Sequence, residues 1–273
     1  MSTFNSVVGS VFDFLLAPFG HRQAWFDLLV WPILAGIVAL LVYKKLSNQD
    51  GIARAKNGIV VNLLEVMLFR DDLVGVIGST GRALWKNVAY LGHNVMPMLV
   101  MFVPMMAILV QIVAHYALDP VPVGAVELVT ARVDPAVGDV KLADVRLEIP
   151  QGVVLDAPPV RTPDGEIVWR VKAEAAGDHV LRIHVGDRVI EKGLAVGGAP
   201  RKVPVMRTKS WEALLYPAEP VMPAESPLYS VDLQYPQRSL RFFPDGEGGL
   251  LLWFLVASLA TGFILKNRFG VTL

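Results

Sequence analysis

The chain has no cysteine, which excludes disulfides, thiol catalysis and thiolate metal sites. Its formal net charge is zero, so no global field points to nucleic acid or to acidic partners. No Asn-x-Ser/Thr acceptor occurs, so nothing suggests glycosylation. Charge is scarce as well: 18% of the 273 residues are charged and 53% are hydrophobic, an apolar balance for a soluble protein. The scarcity is concentrated in three long runs, Trp25–Tyr43, Val95–Leu118 and Gly249–Leu265, none of which contains Lys or Arg. Each is close to the roughly 20 helical residues that cross a hydrocarbon core.

The runs are unevenly spaced, and that spacing divides the chain. Residues 23–46, 93–118 and 248–266 are expected to be transmembrane helices. Ahead of the first, Phe4, Val8, Val11, Phe12, Leu15, Leu16 and Phe19 share one helical stripe, so 1–22 reads as an interfacial amphipathic segment. No Lys or Arg precedes this N-terminal apolar stretch, Asp13 interrupts it and no small-residue cleavage site follows it, unlike a secretory signal.

Basic residues near the span ends set an orientation. Lys44, Lys45, Arg54, Lys56, Arg82 and Lys86 follow the first run, and Lys266 and Arg268 follow the last. The other side has Arg22, Arg132, Arg238 and Arg241 near the membrane. The bias predicts an inner (cytoplasmic) membrane protein with an extracytoplasmic, periplasmic N-terminus and large loop. The 47–92 segment and the 267–273 tail are then cytoplasmic.

Residues 47–92 read as a helical hairpin. Ser47-Asn48-Gln49-Asp50 has the form of a capping box, and Arg70-Asp71-Asp72 is a charged break between two apolar helical patterns. Both helices are too apolar for isolated exposure, so they need each other, the membrane surface or a partner. In the second span Pro97 and Pro104 remove backbone donors and predict a kink or an irregular start. Gln111 and His115 lie within that span, with Asn94 at its inner end. Buried amides of this kind hydrogen-bond across helices.

Beyond residue 119 the period changes to two. Ile167, Trp169, Val171 and Ala173 alternate with Arg170 and Lys172, and Leu181, Ile183 and Val185 alternate with Arg182 and His184. Asp164-Gly165 and Gly186-Asp187 are hairpin-type turns, and further strands are expected at 125–133 and 140–149. Six or seven short strands over 119–199 predict an immunoglobulin-like β-sandwich. Residues 200–247 are rich in proline and aromatic residues and read as an extended strap on the sandwich or the membrane surface. Ala35 and Ala39 in the first span, with Ser258 and Gly262 in the last, have the spacing that lets helices approach closely.

Chemistry is sparse. His179 and His184 lie five apart on one strand, so they point to opposite faces and cannot chelate one metal. Gly75, Gly78 and Gly81 lack the Lys-Ser/Thr ending of a phosphate loop. No catalytic constellation, cofactor or metal site follows from the residues, and the expectation is a protein that is not an enzyme. The mixed face of Asn62, Glu65 and Arg70, together with Asn94 and Gln111, is the candidate client-binding or groove surface.

This layout of an N-out span, a cytoplasmic hairpin, an outward span and a later inward span resembles the YidC/Oxa-type insertase superfamily. It is most similar to the compact three-span members, such as archaeal homologues and the core subunit of the endoplasmic-reticulum membrane protein complex. Residues 43–50, Tyr-Lys-Lys-Leu-Ser-Asn-Gln-Asp, look like the span-to-hairpin junction of those proteins. The resemblance implies a cytoplasm-facing polar groove and a protein that helps other membrane proteins insert or assemble. Its partners would be the lipid bilayer, hydrophobic client segments and partner membrane subunits of a hetero-oligomeric complex, with no nucleic acid. The chain departs from the pattern in two places: no span carries the groove arginine of many-span relatives, and the β-domain is foreign to the compact ones. The alternative expectation is a structural or scaffolding subunit that binds an envelope partner through its sandwich.

Overall fold

A computed structural model describes residues 2–16, 24–68, 73–137 and 140–271. Side chains are described there except at 2–6, 55, 63, 65, 73–76, 89, 93 and 94. Among the described residues there are five α-helices: α1 (Ser2–Leu16), α2 (Ala24–Leu46), α3 (Gln49–Leu68), α4 (Leu73–Tyr116) and α5 (Gly246–Leu265). Three helical stretches are long and apolar enough to cross a membrane: Ala24–Leu46, Ile77–Tyr116 and Gly246–Leu265. The chain is therefore described as a membrane protein with three candidate spans and a β-domain. It divides into two compact units, residues 1–28 with 109–253, and residues 29–108 with 254–273.

In the second unit α3 begins one residue later than a Ser47 cap would place it. The Gly51 amide donates to Asn48 Oδ1 at 2.9 Å, and the Ile52 amide donates to the Asn48 carbonyl at 2.9 Å. Asn48 is thus the N-cap, because its side chain satisfies a first-turn amide that has no intrahelical partner. The expected boundary between hairpin and second span, near residue 93, is not a break in structure. α4 is helical throughout, including Pro97 and Pro104. Its 40-residue apolar portion is about twice what one crossing requires.

The first unit contains the β-domain, with β1 (Val126–Val133), β2 (Val145–Glu148), β3 (Val153–Arg161), β4 (Glu166–Ala173), β5 (Gly177–Val185), β6 (Arg188–Val196), β7 (Met206–Thr208) and β8 (Leu228–Leu233). A five-stranded sheet has the order β3-β4-β1-β8-β7 and a three-stranded sheet the order β2-β5-β6. All named pairings are antiparallel. The alternation seen in sequence is the burial pattern in space. Ile167, Trp169 and Val171 from one sheet share a buried cluster with Leu181, Ile183 and Leu194 from the other. Truncating a fully enclosed tryptophan such as Trp169 to alanine costs about 3–5 kcal/mol in a core of this type.

Residues 200–247 differ from a simple strap. They contribute β7 and β8, and β8 lies between β1 and β7 in the larger sheet. The prolines bound these strands: Pro204 precedes β7 and Pro227 precedes β8, where no ladder donor is lost. A buried ion pair also fastens this segment. Lys192 of β6 is fully enclosed, and its Nζ lies 2.5 Å from Glu219 Oε2 while also donating to the Pro204 carbonyl. Burial pushes the Lys192 amine down, with Glu219 acting in opposition.

Part of the outer edge of β6, from Glu191 to Ala195, is occupied. Glu191 O accepts from Arg207 Nη1, the Gly193 amide donates to Glu219 Oε1 at 2.8 Å, and the Ala195 amide donates to the Tyr235 hydroxyl at 3.0 Å. Ala195 O accepts from the Val121 amide at 3.0 Å.

Candidate functional site

Among the described residues, the second unit holds an apolar groove of about 370 Å³. Gly36, Ala39, Leu40 and Tyr43 of α2 form one wall, and Ser258, Leu259, Gly262 and Phe263 of α5 form another. α4 supplies Tyr90, Leu91, Met98, Met101 and Met105. The methionines recur at intervals of three and four, so one helical face delivers all of them. Methionine is unbranched and polarizable, and it adapts to irregular apolar surfaces. Among the described lining residues the polar side chains are the two tyrosines and Ser258.

The groove adjoins a small core of Leu40, Tyr43, Ile52 and Val271, against which Tyr90, Met101 and Phe269 pack. Lys44 Nζ donates to the Phe269 carbonyl at 2.7 Å, tying the end of α2 to the turn after α5. α2 and α5 meet at Gly36, where a Cβ would lie 2.5 Å from Ser258 O and 2.9 Å from Thr261 Cβ. Ser258 Oγ and Thr261 Oγ1 donate back to Leu255 O and Ala257 O of their own helix, so neither hydroxyl is left open to lipid.

The expected packing residues are distributed between two roles. Ala35 and Ser258 are buried, and Ala39, Gly262 and Ser258 line the groove. A Cβ on Gly262 would meet nothing within 4 Å. The glycine that the close approach requires is Gly36, adjacent to the expected position.

Among the client-binding candidates, Arg70 lies outside the described residues, and Glu65 and Asn94 lie outside the described side chains. Asn62 is buried on α3. Gln111 is buried too, in the first unit, and its Oε1 has no hydrogen-bond partner among the described residues. Neither Asn62 nor Gln111 is among the described residues that line the groove.

A polar cluster in the first unit went unread in the sequence. Asp27, in the first turn of α2, is 1% exposed and accepts a short hydrogen bond from the Tyr116 hydroxyl. The Arg238 guanidinium lies 5.7 Å from the Tyr116 ring centroid, and its Nε is 3.8 Å from Asp119 Oδ1. Beside it, Asp13 of α1 receives His115 Nε2 and Lys202 Nζ, each at 2.9 Å. Burial alone would raise the Asp13 carboxyl, but Lys202 and His115 outweigh it and hold the group below the usual range. The available signal was Asp27 itself, a lone carboxylate inside an apolar run, which is costly unless paired. Among the described residues no group of three or more His, Cys, Asp or Glu is placed to hold a metal.

Comparisons of the chain with family models, with curated proteins and with solved structures find no match.

Proposed function

We infer that this is an insertase-like, non-enzymatic membrane protein that assists the insertion or assembly of other membrane proteins. The observation carrying that reading is the methionine-faced groove among α2, α4 and α5. Its volume falls within the roughly 300–1,000 Å³ of ordinary ligand sites, too little for a whole transmembrane helix. A client would therefore touch it with one face, and adaptable methionines suit clients of differing sequence. An unsubstituted apolar wall holds a hydrophobic segment without charging the desolvation cost of a fixed cation. This mode differs from a polar groove: the client would be received by packing.

The remainder of the reading follows the basic-residue bias and the resemblance. The α3–α4 hairpin and C-terminus face the cytoplasm, and the N-terminus and an immunoglobulin-like β-sandwich lie outside the inner membrane. The protein works beside partner subunits of a hetero-oligomeric complex.

The test is photocrosslinking from benzoylphenylalanine at positions 98, 101 and 259, with 189 in the β-domain as control. The substrates are stalled nascent chains carrying defined spans of unrelated sequence. Adducts from the three groove positions to several different spans are expected. Adducts to one constant subunit only, with no nascent chain captured, would replace this reading with that of a scaffolding subunit.

A further inference from the structure

The α3–α4 hairpin has its polarity reversed relative to a helix pair in water. Beyond Ile52 at the start of α3, its buried positions among the described side chains are small or polar: Asn62 on α3, and Ser79 and Ala83 on α4. Gly58 faces the Lys86 side chain of α4, whose Cδ would lie 3.1 Å from an added Cβ. The apolar residues point away. On α3, Val61, Leu64 and Leu68 are exposed, and on α4 so are Ile77, Leu84 and Val88. In water such an arrangement forfeits the burial that holds helices together. In lipid it is the usual one, with small and polar residues between helices and apolar residues outside.

Two observations identify what covers the outward face. The α4 stripe does not end with the hairpin. At helical spacing it continues along the same unbroken helix through Val95, Leu99 and Phe102, all exposed, into the apolar portion long enough to span a membrane. A surface continuous with a lipid-facing one is most simply covered by the same solvent. The charge agrees: residues 44–92 hold seven basic residues against four acidic ones. Arg54 and Lys56 are exposed, and helical geometry sets them on either side of the α3 stripe. Cations flanking an apolar stripe can reach headgroups while the stripe enters the acyl region.

We propose that the α3–α4 hairpin is a lipid-docking element, lying in the headgroup–acyl boundary of an anionic bilayer with its apolar stripes immersed. The assignment stands apart from the insertase reading, since it depends on the outer faces of the hairpin and not on the groove.

Because the chain has no cysteine, single cysteines can be placed at will in the full-length protein. Leu64→Cys, Leu84→Cys and Val88→Cys, with Val189→Cys in the β-domain as a control, are spin-labelled. The proteins are reconstituted in vesicles of phosphatidylcholine and phosphatidylglycerol. At 64, 84 and 88 the ratio of oxygen to nickel-chelate collision rates should exceed that at 189 several-fold. A nickel-chelate rate equal to that at 189 would place the hairpin in water. Exclusion of both reagents would mean that protein covers it, and either result overturns the proposal. In phosphatidylcholine alone the ratio should drop, and an unchanged ratio would overturn the anionic part of the assignment.

Discussion

Lys192 and Glu219, 27 residues apart in sequence, form an ion pair 2.5 Å long with the ammonium wholly enclosed. Glu219 also accepts from the Gly193 amide, so one carboxylate fastens both the side chain and the backbone of β6. Taking one partner away leaves the other as an uncompensated buried charge. Lys192→Met should therefore destabilise the β-domain by about 3–5 kcal/mol, whereas adding Glu219→Gln should recover part of that loss. Denaturant titration of both variants measures the difference, and equal losses would mean that the two groups are not coupled.

The contact between Gly36 and the Ser258 carbonyl sets the approach of α2 to α5. Gly36→Ala should lower stability in detergent by about 1–3 kcal/mol, the usual cost of overpacking, because backbone rather than a mobile side chain lies in the way. Gly262→Ala, four residues beyond Ser258 on α5, adds a methyl into open space and should stay within about 0.5 kcal/mol of the parent. Thermal unfolding of the purified full-length variants discriminates the two sites.

The Tyr116 hydroxyl is a donor to the enclosed Asp27 carboxylate. Tyr116→Phe preserves the ring and its contact with Arg238 but withdraws that donor, and should cost about 1–3 kcal/mol. Asp27→Asn, which removes the charge and keeps an acceptor, should cost less. A smaller loss for Tyr116→Phe than for Asp27→Asn would show that the hydroxyl contributes little.

Asp13 holds α1 through His115 and Lys202. Its carboxyl is depressed in the folded protein, so this stabilisation is complete above the unfolded value. It is lost as pH falls through the lower, folded value. A fluorophore on Ser10→Cys should show high anisotropy at neutral pH and a drop below about pH 4. With Asp13→Asn the anisotropy should already be low at neutral pH, and a pH profile unaffected by this substitution would remove Asp13 as the tether.

Some of this architecture was legible because one force dominates locally. The α2 and α5 segments are apolar on every side, and β1, β4 and β5 alternate cleanly because one face meets the core. β8 resisted for an opposite reason. Its ladder with β1 shifts register between Arg132 and Val133, so buried positions fall at Leu228, Ser230, Val231 and Leu233 instead of at every second residue. β3 contains Pro158 and Pro159, which would argue against a strand, but it is an edge strand and tolerates missing donors. The groove was harder to read. Met98, Met101 and Met105 share one helical face, yet in sequence a methionine facing a groove is indistinguishable from one facing lipid. Asp27 was lost among the many apolar neighbours of its run.

The occupied rim of β6 determines how this domain tolerates crowding. Proteins confined to a membrane meet one another at high local density, where a bare strand margin can seed polymerisation by recruiting a strand from the next molecule. Here the acceptors at Glu191 and Ala195 and the donors at Gly193 and Ala195 are already satisfied within the chain. A neighbouring copy that paired along 191–195 would have to displace a tyrosine hydroxyl, a carboxylate and a guanidinium. Fibril growth from this margin is thereby obstructed.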